Sequence, residues 1–278
     1  MPTELPPGMA AQRPDRNPES IGRQLWTLAS GIVIAIAVVI WSIGAVGDRL
    51  VQWIPPSVEQ QLGSVMAAQF EAQAEVDSPQ QQALTQLLHT LTPHLPSDDA
   101  GDRTYRIWYI PENTVNALAL PGNQIIIYDG LLAKVESENA LAMVLGHELG
   151  HFAHRDHLRG LGRTIVWQLA LGSLFGDVSA WQRLAIAGIE QLSQAQYSQR
   201  QETQADEFGL VLLNAAYGHV GGATDFFAQL AELTGASPVA FLATHPVPAA
   251  RVKRLEQEIE ANNYAIAATT PLPAALQP

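Results

Sequence analysis

From Gly146 to His151 the chain reads GHELGH, placing His147, Glu148 and His151 in the order H-E-x-x-H. On a helix the two histidines stand one turn apart on one face, with Cβ atoms about 6 Å apart, which suits two neighbouring corners of a zinc tetrahedron. Glu148, rotated roughly 100° from His147, reaches the metal's open position rather than the metal. Zinc lowers the pKa of a water bound there toward about 7, and a carboxylate beside it can take the proton as the water attacks a peptide carbonyl. The chemistry in view is metal-assisted hydrolysis, and it requires a third ligand from elsewhere in the chain.

Two candidates follow the motif. His157 stands ten residues after His147, the metzincin spacing H-E-x-x-H-x-x-G-x-x-H. Against it, His154 occupies the position of the glycine, and no methionine follows Met143 to form a Met-turn. His154 and His157 read instead as polar residues near a helix end, where positive charge is favourable. The second candidate is Glu202 in SQRQETQADEFGLVLL, with Asp206 one turn later on the same face. Glu202 can complete a His-His-Glu site, and Asp206 can accept a hydrogen bond from the outer nitrogen of a ligating histidine and so fix its tautomer. An acidic pair of this kind on its own is usually a solvated face. His89 and His94, isolated on an earlier segment, read as surface or packing residues.

The elements that must carry these groups follow from periodicity. Residues 138–155 repeat their apolar side chains at helical spacing. Pro55-Pro56 closes a preceding segment, with Ser57 able to cap a helix to about Ala74. A second helix is predicted from Pro79, with Leu84, Leu87, Leu88 and Leu91 on one side. From Arg103 to Tyr128 the pattern changes to short runs, YRIWYI, TVNALAL and QIIIY, which predict a small antiparallel sheet turning at Pro111-Glu112-Asn113 and Pro121-Gly122-Asn123. Such a sheet could be purely structural, or its edge could pair with an extended peptide beside the metal. TIVWQLALGSLF and WQRLAIAGIEQL are each too short to span a bilayer and read as core helices or a surface hairpin near a membrane; a regulatory role for residues 164–192 stays open. The tail, 262–278, has no period and is expected to be disordered.

Composition narrows the classes. The chain has 278 residues, 47% of them apolar, enough for one domain of about 200 residues with appendages. A net charge of -12 leaves no basic stripe for nucleic acid, and the absence of cysteine excludes disulfides, thiolate zinc sites and thiol nucleophiles. Residues 1–23 are polar and proline-rich, expected to be disordered and cytoplasmic, whereas 24–47 carry no charge. As a helix the latter stretch covers about 36 Å, enough to cross a hydrocarbon core of about 30 Å. A cleaved signal peptide is the rival reading, but the leading segment is long and contains acids, which favours a retained anchor. Arg13, Arg16 and Arg23 precede the span and Arg49 alone follows it before Arg103, so the positive-inside rule exports the remainder.

GHELGH, then YSQRQETQADEFG, then THPVPAARV, in that order, resembles the HtpX-like, BepA-like and Oma-type zinc metallopeptidases, the minigluzincin group related to Ste-type CAAX proteases, over roughly residues 57–261. The resemblance implies one zinc ion per chain, held by His147, His151 and Glu202, with Glu148 as general base. It also implies that His245 steadies the oxyanion, with Arg251 in the helix after it and Asp206 supporting a ligand. Relatives carry N-A-x-x-x-P-G on a substrate-binding edge strand, which here corresponds to Asn116, Ala117, Leu118, Ala119, Pro121 and Gly122. Asn123 stands where a second glycine is common, and because asparagine tolerates a left-handed turn the hairpin is expected to survive. The expected fold is α+β, a mainly helical metalloprotease domain at 57–261 with one N-terminal transmembrane helix at 24–47. Expected partners are protein or peptide substrates and, through that helix, membrane lipid, at a bacterial inner membrane with the catalytic domain in the periplasm. A chaperone-like module that holds segments and seldom cuts, or a scaffold tied by a structural metal, are the other readings.

Overall fold

The computed structural model describes residues 25–35, 38, 51, 54–96, 103–161, 187–190, 192, 196–232, 239–246 and 249–277. The chain divides into two compact units, Met1–Arg49 and Leu50–Pro278. In the first, residues 25–35 form a helix whose apolar side chains, Trp26 and Ile32 among them, are exposed. Among the described residues no helix is long and apolar enough to cross a membrane. Part of the 24–47 span, and nearly all of 164–192, lie outside the described residues.

The second unit is built around three strands, β1 (Arg106–Ile110), β2 (Ala117–Leu120) and β3 (Gln124–Tyr128), in the spatial order β1-β3-β2. β2 and β3 form an antiparallel hairpin, but β1 runs parallel to β3, so the sheet is mixed rather than antiparallel as expected. The physical reason is that the link after β1 carries the chain past the middle position to the outer one, and the hairpin then returns between them. Gly122 (φ 76) and Asn123 (φ 60) make the turn, so the asparagine does accept the left-handed conformation.

Both faces of the sheet are buried, which explains why its strands read as continuous apolar runs. Ile107, Tyr109, Ala117, Ala119, Ile125 and Ile127 join the larger core, while Trp108, Ile110, Leu118, Leu120 and Ile126 join a second one on the opposite face. The second core is completed by Leu62, Met66 and Phe70 of α1 (Pro56–Glu71). That helix begins with Pro56 in its first turn after Pro55, not with Ser57 as cap. The larger core receives α2 (Pro79–Leu91), capped by Ser78. After the short α3 (Asp129–Leu132) comes α4 (Glu138–Ala153), capped by Ser137 and buried without a break from Asn139 to Phe152. A helix buried on every side belongs at the centre of a domain, and α4 is there.

α4 packs chiefly on α6 (Gln199–Tyr217), after the one-turn α5 (Asp156–Gly160). The glycines of GHELGH set this approach: a Cβ on Gly146 would fall 3.0 Å from Gly209 Cα, and one on Gly150 would fall 2.8 Å from Ala205 Cα. α7 (Asp225–Glu232), α8 (Ala240–Thr244) and α9 (Ala249–Ala261) follow.

The tail corrects a second expectation. Thr270 accepts from the Glu138 amide at 2.9 Å and donates to Asn139 Oδ1 at 2.7 Å, while Leu272 and Leu276 are buried in the larger core. Its order comes from pairing with the start of α4, more than 120 residues away in sequence, so it leaves no local period to read.

Candidate metal centre

Because α4 and α6 touch through glycine and alanine, the side chains flanking that contact meet. His147 and His151, one turn apart on α4, bring their Nε2 atoms to 3.1 Å, with the ring planes at 86°. Glu202, in the first turn of α6, lies with its carboxylate oxygens 3.5 Å from His151 Nε2 and 3.8 Å from His147 Nε2. His245, just past α8, brings Nδ1 to 3.2 Å from His147 Nε2 and to 3.0 Å from Glu202 Oε1. His147, His151, Glu202 and His245 are all buried, and one donor atom from each lies within 4.8 Å of the others.

These separations fit a single zinc ion. Nitrogen and oxygen donors at zinc distances place neighbouring corners of a tetrahedron about 3.4 Å apart, and the spacings given above for individual pairs run from 3.0 to 3.8 Å. The outer nitrogens are fixed as well. His147 Nδ1 donates to Asp206 at 3.0 Å and His151 Nδ1 donates to Asp156 at 3.0 Å, because an ionised carboxylate can only accept; in the neutral form of each ring the Nε2 lone pair then faces the cluster. Asp206 is held in turn by Arg251, whose Nη2 and Nε donate at 2.6 and 2.8 Å, and by Arg254 at 3.2 Å. Arg251 also pairs with Glu202 and lies over Phe227, its guanidinium carbon 4.6 Å from the ring centre.

The electrostatics differ between the two histidines. Burial alone would lower the His151 pKa, but Asp156 and Glu202 outweigh it and raise the ring to about 9. For His147 burial wins, aided by the nearby Arg251 charge, and its pKa falls. Burial would raise Asp206, yet Arg251 holds its carboxyl down at about 2. Glu148 completes the site: among the described residues both its oxygens are buried without a hydrogen-bond partner, and His245 Nε2 lies 3.6 Å from Oε1. A buried carboxylate costs free energy unless something satisfies it, and no described side chain bonds these two oxygens.

All members of the cluster fall inside one recognisable region. A profile of peptidase family M48 matches residues 78–259. The chain belongs to peptidase family M48. Among curated proteins it is similar to the mitochondrial metalloendopeptidase OMA1 of Arabidopsis thaliana, 29% identical over 178 residues, covering 61% of this chain and 33% of that protein. It is also similar to the metalloprotease LoiP of Escherichia coli, 30% identical over 153 residues, covering 53% of this chain and 60% of LoiP. A third relative is the beta-barrel assembly-enhancing protease of Escherichia coli, 25% identical over 209 residues, 70% of this chain and 42% of the relative. The chain therefore spans between about a third and three fifths of the length of these relatives.

Within this M48 chain the structure brings together the residues singled out from sequence as ligands, base and supports: His147, Glu148, His151, Glu202, Asp206 and Arg251. His245 joins them as a fourth donor rather than standing to one side. His157 points elsewhere, to Glu59, and His154 bonds back to the Gly150 carbonyl, while His89 and His94 are exposed. β2, with Ala117, Leu118 and Ala119, is an outer strand packed on α4; Asn116 precedes it, and Pro121 and Gly122 turn beneath α1. The opposite edge is occupied: Gln81 donates to Ile107 O at 2.9 Å and accepts from Tyr109 N at 2.8 Å, and Glu75 N reaches Tyr109 O at 3.2 Å.

Two members of the site carried no sequence signal of their own. Asp156 follows a turn in which Arg155 adopts φ 56, and only that turn folds it back under His151. Tyr197 stacks on His151 with ring centres 4.0 Å apart and receives burial and three acidic neighbours that raise its pKa well above the ordinary value. Its amide also bonds the Thr244 carbonyl at 3.1 Å, which ties the start of α6 to the residue before His245.

Proposed function

We propose that the chain is a zinc-dependent metalloendopeptidase, anchored in a bacterial inner membrane by residues 24–47 with its catalytic unit in the periplasm, that cleaves unfolded or misassembled envelope proteins. The observation carrying the catalytic part is the Glu148 carboxylate, buried beside the donor cluster without a hydrogen-bond partner among the described residues. A metal bound by His147, His151 and Glu202 supplies Lewis-acid polarisation of water and of the scissile carbonyl. Glu148 takes the proton of the attacking water and passes it to the leaving amine. Asp206 and Asp156 hold the two imidazoles in the tautomer that ligates. The substrate pairs its backbone with β2, the outer strand beside α4, because Gln81 and Glu75 already fill the bonds of β1. His245 Nε2 donates to the oxyanion of the tetrahedral intermediate. The membrane and quality-control parts rest on the uncharged 24–47 segment and on relatives named for β-barrel assembly and mitochondrial proteolysis.

The test is Glu148→Gln. It is expected to retain one zinc per chain while cleavage of an unfolded protein falls by about 10² to 10⁴; full activity in that variant would remove the proposal. His245 as a fourth donor favours a second reading, a closed structural metal. His245→Ala separates the two: a catalytic site keeps its zinc and loses about 10² to 10³ in rate, whereas a structural one loses the metal.

A further inference from the structure

We propose that Glu59, on α1, is a positioning residue for the metal centre: it grips Arg155 and His157 on either side of Asp156, and Asp156 sets the ring of His151. Glu59 Oε2 accepts from Arg155 Nη2 at 2.7 Å, and Glu59 Oε1 accepts from His157 Nε2 at 2.9 Å. Arg155 Nη2 also donates to the Ile54 carbonyl at 3.1 Å. The grip lands on a backbone that needs one, since Arg155 has φ 56, a region that L side chains rarely adopt and that surrounding contacts must enforce. Between the two gripped residues, Asp156 is fully buried. Its Oδ2 accepts from His151 Nδ1 at 3.0 Å, while its Oδ1 accepts from Arg159 and from Gln201, each at 2.9 Å.

α1 is fixed at a second point. A Cβ on Gly63, one turn beyond Glu59 along the helix, would fall 2.1 Å from the Pro121 carbonyl oxygen, so α1 packs without a gap on the turn of the β2–β3 hairpin. One helix thus spans the substrate-side hairpin and the corner that orients a ligand. It lies upstream of the region matched by the family profile, which begins at residue 78. Outer partners of metal ligands act by fixing ring orientation, and their loss typically weakens metal binding by about 10- to 100-fold. Glu59 stands one step further out, and its effect runs wholly through the turn.

The inference rests on His151 being a metal ligand, as read above, and the experiment separates the two. Zinc affinity is measured on the full-length chain by chelator competition, together with the visible spectrum of the cobalt-substituted protein. His151→Ala is expected to abolish stoichiometric binding; if it does not, the reading of the metal site fails. Glu59→Gln and Asp156→Asn are each expected to weaken zinc by about 10-fold or more and to alter the cobalt spectrum. The double variant should be no weaker than Asp156→Asn alone, because both changes act on one link. Tyr109→Phe, which removes a hydrogen bond from β1 to Asp129 at the start of α3, serves as a control and leaves affinity unchanged. Parental affinity and spectrum in Glu59→Gln despite a lowered Tm, or additive losses in the double variant, would overturn the proposal. Should Glu59→Gln fail to fold, Arg155→Met removes the Nη2 bonds to Glu59 and to the Ile54 carbonyl while keeping a long side chain, and parental zinc affinity there overturns it equally.

Discussion

At the scale of single residues, the two aspartates do matched work on the two histidines, Asp206 on His147 and Asp156 on His151. Asp206→Asn keeps the shape but can present the wrong hydrogen-bonding group to Nδ1. Zinc affinity is expected to fall about 10- to 100-fold, read by competition with a chelator. Glu59 adds a pH signature. Burial would raise its pKa, but His157 and Arg155 together bring it from 4.5 down to about 2. A depressed carboxyl contributes stability that is present above its unfolded value and is lost as pH falls through its folded value. Acid titrations should therefore show Glu59→Gln losing part of the stability change between pH 4.5 and about 2 that the parent shows. His147, Glu148 and His151 were legible because a helix repeats every turn, and Glu202 with Asp206 for the same reason once the ordered motifs were in hand. Asp156 and Tyr197 were not, because each reaches His151 through a non-helical turn or an inter-element stack that no spacing encodes.

Among the elements, the closeness of α4 and α6 is the feature on which the site depends. Gly150→Leu would force a side chain against Ala205, already 2.8 Å from the first added carbon. The expected cost is about 1–3 kcal/mol or more, seen as a lower Tm, with zinc loss because Glu202 moves away from the histidines. The tail offers a second test. Truncation after Ala261 removes Leu272 and Leu276 from the core and uncovers the start of α4; at about 1.5–3 kcal/mol per buried leucine, Tm should drop sharply in calorimetry. Strand positions were legible from runs such as QIIIY, the first helix of the site from its apolar period, and the second from the one-turn spacing of Glu202 and Asp206. The direction of β1 was not, because parallel and antiparallel neighbours bury the same apolar runs. The tail's order was not, because its partners Ser137, Glu138 and Asn139 lie more than 130 residues earlier in the chain, a separation that no local period records.

For the whole molecule, the division at Arg49 separates an N-terminal unit from the unit that carries the metal cluster. If residues 24–47 anchor the chain, replacing Ile34 and Val38 with arginine should release it from the membrane fraction, since each charge at the centre of a span costs about 2.5–3.5 kcal/mol. Retention of that variant in membranes would show that attachment lies elsewhere. Peptidase chemistry in this chain depends on which atoms hold the metal. X-ray absorption at the zinc edge, on the purified full-length chain and on Glu202→Gln, reads that directly. The parent is expected to hold one zinc with imidazole nitrogens and a carboxylate oxygen at about 2.0–2.2 Å, and Glu202→Gln to lose the oxygen or the metal. A parent without zinc, or a zinc environment identical in Glu202→Gln, would contradict it.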